Sequence, residues 1–350
     1  MQSYGFLMII EATDTAVNAG DCRRGWISRW SMVSKADRYL AAGTRENTRK
    51  SYRAAIEHFE VTWGGYLPTT GDGIVRYLAE YADKHAISTL KLRLAALAQW
   101  HITQGFPDPT KTPTVRQMIK GIRAVHPTRV KQAAPVSLGH LEQAVHWLEN
   151  EAKAAAQRGD YKCLLRHRRS IALVLIGFWR GFRGDELTSL TVDNTQASRG
   201  EGITFFLHHT KGDRQREGTT FHTPALTRLC PVEAYLAWIT VAGISTGPVF
   251  RRLDRWGRLG DEAIRPHSLI PMLRRIFAEA GLPESLYTSH SLRRGFATWA
   301  SANGWDIKGL MNYVGWKDMK SALRYVDAGV SFAGLSIPAA GKRVADAQLE

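Results

Sequence analysis

Apolar side chains recur every three or four residues over 35–125, which is the spacing of one buried face on successive helices. The stretch Thr44–Trp63 has this spacing, and two glycines and a proline end it shortly afterwards. The pattern indicates three further helices, the second of which begins at Ser88 as its N-cap. The sequence therefore predicts an N-terminal helical bundle over 33–125.

A segment with two prolines and no apolar period, HPTRVKQAAPVS, covers 126–137 and is predicted to be an interdomain linker. Residues 1–32, before the bundle, show no sustained period. We expect either a disordered N-terminal arm or an extension upstream of a true start at Met32. The last residues, 335–350, are predicted to form a C-terminal tail.

The region 138–334 mixes helical spacing with short strand-like stretches. Strands are predicted at Leu190–Val192, Ile203–His208 and Thr219–His222, the last two joined as a hairpin with a basic tip. Helices are predicted at 138–155, 166–182, Pro231–Val241, Pro266–Ala280, Ser291–Asn303, Asp306–Val314 and Lys317–Asp327. The expected fold is mostly α, with two domains, the second of which carries a small sheet.

The charge balance points to a polyanionic partner. The chain has 47 Lys and Arg against 32 Asp and Glu, a net charge of +15, and nucleic acid is the commonest polyanion for such a protein. Three widely spaced cysteines, Cys22, Cys163 and Cys230, argue against a disulfide framework and fit a reducing cytoplasm. The longest apolar run, Ile171–Trp179, is about half of a membrane span. We expect a cytoplasmic, DNA-associated protein without a membrane partner.

One C-terminal group of residues suggests chemistry on a phosphate. His290 and Arg293 are three apart on a predicted helix, so both can meet one small anion. An HxxR pair alone is common and is usually a solvated helix start. Here Trp316 follows after 23 residues and Tyr325 nine residues later. Tyr313 is a second tyrosine nearby, which also fits a core position on its helix.

Two upstream elements extend this group. Arg183 and Glu186 are three apart after the longest apolar run, a spacing that is usually only an ion pair. Lys211 follows a predicted strand, where an exposed turn lysine is an equally good interpretation.

The order of an arginine with a following acid, a hairpin lysine, HxxR, a tryptophan and a tyrosine resembles the tyrosine recombinase (phage integrase) family. The matching positions are Arg183, Glu186, Lys211, His290, Arg293, Trp316 and Tyr325. The resemblance extends from about residue 35 to the C-terminus and is weakest in the N-terminal bundle. Many members have histidine at the position of Trp316. A tryptophan at this position resembles the Cre-like members of the family.

The resemblance implies an enzyme that cuts and rejoins DNA through a 3′-phosphotyrosyl bond. Tyr325 would be the nucleophile, Arg183 and Arg293 would hold the phosphate, and Lys211 would protonate the leaving 5′-oxygen. His290 would relay a proton. Glu186 would orient a cationic side chain, and Trp316 would donate its indole N–H. The sequence contains no phosphate-binding GxxxxGK[ST] loop and no HExxH, so no metal and no cofactor are expected.

The resemblance also implies double-stranded DNA with inverted-repeat target sites as the partner. Two domains would clamp the duplex as a C, and a homotetramer would exchange strands through a four-way junction. Basic residues on predicted helices are the candidates for DNA contact, with a solvated helix face as the equally plausible alternative. These residues are Arg49, Lys50, Lys91, Arg93, Arg274 and Arg275.

Two other functions remain open from the sequence. A type IB-like topoisomerase uses similar chemistry to relax supercoils. A non-catalytic sequence-specific DNA-binding protein would need neither the nucleophile nor its supporting cations.

Overall fold

The computed structural model describes residues 43–127, 133–213 and 217–323, together with Tyr39. The chain divides into two compact units, Met1–Val130 and Lys131–Glu350. Each unit has a hydrophobic core of its own. The domain boundaries drawn from the sequence stay predictions, and the predicted arm 1–32 and tail 335–350 lie outside the described residues.

The first unit is a bundle of short helices. They are α1 (Glu46–Glu57), α2 (Gly71–Glu80), α3 (Ile87–Thr103) and α4 (Pro113–Val125), with a π-helical turn at His58–Thr62 and a 3₁₀ turn at Pro109–Lys111. Helix α1 packs against α3, and α2 packs against α4. Fully buried Phe59, Ile74 and Leu90 lie between them, as the apolar spacing predicts.

One predicted helix start in this unit is wrong. Helix α3 begins at Ile87, and Ala86 is its N-cap, with extended backbone angles. Ser88 therefore lies within the first helical turn and not at the cap. The sequence signal misled because a serine near a helix start is equally acceptable one or two residues inside it.

The second unit is also mostly helical. Its helices are α5 (Leu138–Gln157), α6 (Tyr161–Trp179), α7 (Gly184–Thr188), α8 (Pro231–Ala242), α9 (Leu269–Glu279), α10 (Ser291–Ala302), α11 (Ile307–Val314) and α12 (Met319–Leu323). Short 3₁₀ turns lie at Val192–Asn194, Pro266–Ser268 and Glu284–Leu286. Helix α6 packs against α5, α8 and α10, and every residue of Ser170–Trp179 is buried. An element buried on all sides fixes the position of whatever follows its C-terminal end.

Two small antiparallel sheets complete this unit. Strands β1 (Thr195–Ser198), β2 (Gly202–Leu207) and β3 (Thr219–Pro224) pair in the order β1-β2-β3. Strands β4 (Arg251–Leu253) and β5 (Leu259–Ala263) form a separate hairpin. The mostly helical fold with a small sheet is confirmed, and so is the predicted hairpin, which is β2 and β3.

The strand predicted at Leu190–Val192 is wrong. Thr191 makes one isolated bridge to Pro248, and Val192 begins a 3₁₀ turn. The short stretch Leu190–Val192 is strand-like in sequence, yet such a run does not distinguish a strand from a packed loop, and here Leu190 is buried in a loop.

The end of the predicted linker packs on the second unit. The Val136 side chain is fully buried, and its N–H donates to the carbonyl of Ser291 at 3.1 Å. A Cβ placed on Gly295 would lie 2.2 Å from the Val136 carbonyl oxygen, so only glycine permits this approach. Among the described residues, no helix is long and apolar enough to cross a bilayer.

Candidate active site

The C-terminal end of α6 positions the first pair of predicted site residues. Gly181 ends the helix with a left-handed φ of 62°, and Arg183 then becomes the N-cap of α7. Glu186, one turn later, accepts from the Arg183 backbone N–H at 2.8 Å and from its Nη1 at 2.6 Å. The carboxylate is buried while the arginine remains partly exposed. The buried carboxylate of Glu186 therefore holds the partly exposed guanidinium of Arg183 in a fixed position.

Arg293 reaches the same carboxylate from α10. Its side chain is almost wholly buried, and its Nη1 lies 3.8 Å from Oε2 of Glu186. The same Nη1 donates to the carbonyl of Gly181 at 2.5 Å. Two guanidinium groups thus share one carboxylate, which leaves a net positive charge where they meet. This is the arrangement that a phosphate anion needs.

Trp316 lies against the second arginine. Its ring centroid is 5.1 Å from Cζ of Arg293, within the range of a cation–π contact. Gly315, at a φ of 71°, ends α11 and turns the chain so that the indole is buried. Arg183, Glu186 and Trp316 line one cleft of about 190 Å³, together with main chain after β2.

His290 precedes Arg293 by three residues and caps α10. Desolvation lowers the pKa of its imidazole, and the positive charges of Arg293, Arg183 and Lys211 lower that pKa further, while Asp185 opposes them. The imidazole is therefore neutral at pH 7 and available to accept a proton. The charge of Lys211, on the exposed segment after β2, is close enough to act on it.

The remaining predicted catalytic residue, Tyr325, lies outside the described residues. Tyr313, the other tyrosine considered from the sequence, is held in the core of the second unit. Its hydroxyl donates to the carbonyl of Trp179 at 2.9 Å, and its ring stacks on Phe296.

The first unit carries four of the predicted DNA-contact residues. Lys50 pairs with Glu46 on the surface of α1, and Arg49 donates to the Thr44 carbonyl at 3.1 Å. Lys91 is exposed on α3. The guanidinium of Arg93 instead packs on the Tyr81 ring, with its Cζ 5.5 Å from the ring centroid, and its Nη1 is buried.

A basic groove between α3 and α4 was missed by the sequence reasoning. It has a volume of about 480 Å³, and its four charged side chains are all cations. Lys91 comes from α3, while Arg116, Lys120 and Arg123 are spaced four and three apart on α4. That spacing, visible in PTVRQMIKGIRAV, is the signal that would have indicated one basic helix face.

In the second unit, Arg274 and Arg275 are both exposed on α9. Nε of Arg274 donates to the Tyr287 carbonyl at 3.3 Å. Within the described parts of the chain, no group of three or more His, Cys, Asp or Glu is arranged to hold a metal ion.

Comparison with known proteins identifies relatives over most of the chain. The sequence pattern of the phage integrase family matches residues 148–330. The integrase/recombinase xerD homolog of Selenomonas ruminantium is 29% identical over 308 residues, covering 85% of this chain and 86% of that protein.

Solved structures share the fold at low sequence identity. XerH site-specific recombinase, in a post-cleavage complex with palindromic difH substrate, has a TM-score of 0.58 at 17% identity, covering 83% of this chain and 79% of that one. The Tn1549 transposon integrase in complex with a circular intermediate DNA has a TM-score of 0.57 at 14% identity, covering 83% and 93%. The family match spans more than half of the chain and confirms the resemblance drawn from the site motif: this protein belongs to the phage integrase family.

Proposed function

We propose that this protein is a site-specific DNA recombinase that cleaves and rejoins DNA through a 3′-phosphotyrosyl bond to Tyr325. The observation that carries the proposal is the convergence of Arg183 and Arg293 on Glu186, beside a cleft that Arg183 and Glu186 line. The relatives support it, since the Selenomonas and XerH proteins are both described as recombinases.

The proposed reaction displaces one oxygen at phosphorus by another. The Tyr325 phenol oxygen attacks, the bond from phosphorus to the 5′-oxygen breaks, and the phenol proton leaves through a base. Neutral His290 is the candidate base or relay, and Lys211 would give a proton to the 5′-oxygen. Arg183 and Arg293 would stabilise the added negative charge of the pentavalent transition state. Trp316 would hold Arg293 in position through the contact between its ring and the guanidinium.

The product would retain the free energy of the phosphodiester in the phosphotyrosyl bond, so a 5′-hydroxyl from a second site can reverse the step. We therefore propose strand exchange between two inverted-repeat sites by a homotetramer through a four-way junction, in the cytoplasm. No metal or other cofactor has a part in this scheme.

Formation of the covalent intermediate is the decisive test. A target site is first recovered by selecting protein-bound fragments from random DNA, and a nicked version of that site then traps the cleaved state. Wild type should give a protein–DNA adduct that survives denaturing electrophoresis, and Tyr325→Phe should give none. Tyr313→Phe is the matched tyrosine variant and should still give the adduct, because that hydroxyl bonds to a core carbonyl.

Three outcomes would count against the proposal. An adduct in Tyr325→Phe would assign the nucleophile elsewhere. Relaxation of supercoils without exchange between two sites would favour a type IB-like topoisomerase. Selective DNA binding without any adduct in wild type would favour a non-catalytic DNA-binding protein.

A further inference from the structure

A buried arginine that the proposed reaction does not use lies against Phe221, one of the residues that line the cleft. Arg180 is the C-cap residue of α6, and it is 5% exposed. Its Cζ lies 4.1 Å from the ring centroid of Tyr313 and 4.6 Å from that of Phe221. The guanidinium is therefore held by aromatic faces in place of water.

This cation is poorly compensated. Its Nε and Nη1 are buried and have no hydrogen-bond partner in the described structure. The nearby acid, Glu186, forms its ion pairs with Arg183 and Arg293. Burial lowers the pKa of Arg180, while Tyr313 and then Glu186 oppose the shift, and an arginine keeps its proton at neutral pH. A buried charge without a paired carboxylate costs several kcal/mol of hydration.

The position of Arg180 links it to both sides of the cleft. The next residue, Gly181, supplies the carbonyl that receives Nη1 of Arg293. Phe221, which contacts the guanidinium, also lines the cleft. A guanidinium fixed between Tyr313 and Phe221 thus holds the main chain that orients Arg293. Its charge lies in a buried region next to a residue of the cleft wall, where water screens it little.

We propose that Arg180 is a positioning residue for the phosphate site: it orients Arg293 through the Gly181 carbonyl and adds a third positive charge beneath the cleft. The inference rests on the proposed recombinase function for its catalytic consequence, whereas its consequence for anion binding is argued from the geometry of the cleft alone.

The first test replaces the charge by an apolar side chain of similar length, in Arg180→Met. At saturating DNA, the single-turnover rate of adduct formation on the nicked target should fall roughly tenfold, the lower end of what removal of a supporting partner behind reactive groups costs. The affinity for the whole DNA target should change little, because only one of the many phosphates that such a protein contacts is affected. The pH–rate profile should move to higher pH, because loss of a positive charge raises the pKa of any group that must lose a proton. Arg180→Lys should recover part of the rate.

Arg169 provides the matched control on the same helix. It is also buried, and its Nη1 donates to the carbonyl of Arg251, away from the cleft. Arg169→Met should leave the adduct rate and its pH profile as in wild type. Thermal unfolding of each variant separates loss of activity from loss of fold, since an apolar replacement of a buried charge is often neutral or stabilising.

A second measurement does not depend on cleavage. Inorganic phosphate is titrated into each protein, and binding is followed through the imidazole NMR signal of His290. Arg180→Met should bind phosphate several-fold more weakly than wild type and Arg169→Met. If wild type gives no adduct but this difference is found, the recombinase proposal fails and the role of Arg180 in anion binding stands.

The inference is overturned if folded Arg180→Met cleaves at the wild-type rate with the wild-type pH profile and phosphate affinity. It is also overturned if Arg180→Met, Arg180→Lys and Arg169→Met lose rate together in proportion to their lost stability, which would make Arg180 a purely structural residue.

Discussion

At the scale of single residues, Glu186 holds the cleft together, because its two oxygens face both arginines. A carboxylate that is shared in this way fixes the distance between two guanidinium groups, which would otherwise repel each other. The acid that the sequence presents as one half of a local ion pair thus acts across two helices, α7 and α10.

Replacing this acid tests its role. Glu186→Gln keeps the shape but removes the charge, so Arg183 and Arg293 should lose their common anchor. We expect the rate of adduct formation to fall by roughly 10–100-fold and the unfolding temperature to drop, because a buried charge pair is broken. Glu142→Gln, which breaks an exposed pair with Arg228, should change neither quantity appreciably. A wild-type rate in Glu186→Gln would contradict this role.

The pKa of the His290 imidazole can be used to measure the electrostatic effect of the charged residues around it. Its lowered pKa predicts an NMR titration midpoint below the ordinary value of about 6.5. Lys211→Met should move the midpoint upward, since one of the charges that disfavour the imidazolium is removed. A midpoint that stays unchanged in Lys211→Met would place the lysine charge too far away for its proposed role.

The same shift has a consequence for stability. Because the folded pKa lies below the unfolded one, the unfolded chain binds the proton more readily. The folded state is therefore unaffected well above pH 6.5 and loses stability as the pH falls through the interval between the two values.

The sequence motif identifies most of the side chains in the candidate site, but not the groups that hold those side chains in position. Arg183, Glu186, Arg293 and Trp316 were found because the family motif is specific, and the fold brings the four together. Gly181, whose carbonyl accepts from Arg293, and the buried Arg180 belong to no recognisable sequence motif. Their positions depend on tertiary packing around the end of α6, which the spacing of residues in the sequence does not predict.

At the scale of elements, α6 and the turn after it set the position of the site. The turn depends on Gly181, whose φ of 62° is a conformation that other residues adopt at a cost of about 1–2 kcal/mol.

Substitution of Gly181 should distinguish the effect of backbone strain on stability from the effect of the carbonyl position on the rate of adduct formation. In Gly181→Ala the new Cβ would meet Val314 at an ordinary 3.5 Å, so the cost is backbone strain and a displaced carbonyl. We expect a loss of about 1–2 kcal/mol in the free energy of unfolding, measured with urea, and slower adduct formation.

Gly243→Ala is the control for this change. Gly243 has the same φ of 62°, and nothing lies within 4 Å of its Cβ position. It should lose similar stability and retain the cleavage rate. Equal loss of rate in both variants would show that Gly181 matters only for folding.

Elements were predictable where one face is apolar. Helices α1 to α5 and α8 to α11 follow the three-and-four spacing, with ends off by a few residues. Helix α6 was placed too late, because its first turns carry Lys162, Arg166 and Arg168, while Asp160 caps the helix by accepting from the Cys163 N–H. Strands β1, β4 and β5 were missed, since they are short, contain no buried residue and have no apolar alternation in their sequences.

At the scale of the whole molecule, the net charge of +15 is distributed between two units, each with its own core. In the first unit, the groove between α3 and α4 concentrates Lys91, Arg116, Lys120 and Arg123 without an acid. Such a groove suits a phosphate backbone, whose binding releases counterions.

This surface predicts a measurable salt dependence. The double variant Arg116→Ala and Lys120→Ala should weaken binding to target and random DNA alike, and it should reduce the slope of log affinity against log salt by about 1 for each lost phosphate contact. Fluorescence anisotropy at several salt concentrations measures both effects. The matched control, Lys84→Ala and Arg228→Ala, removes two exposed cations that each already pair with an acid, Glu80 and Glu142. An equal change of slope in the control would mean that the groove has no special part.

The two separate cores also bear on how the affinity of this protein for DNA can change. The groups proposed for chemistry are anchored by buried side chains of the second unit, whereas the groove cations project from α3 and α4 of a bundle that is stabilised independently. Mutations that change the affinity for DNA without changing the preferred sequence can therefore accumulate in this groove without loosening the groups proposed for chemistry. Laboratory evolution towards tighter or weaker DNA binding would start most productively from libraries confined to those two helices.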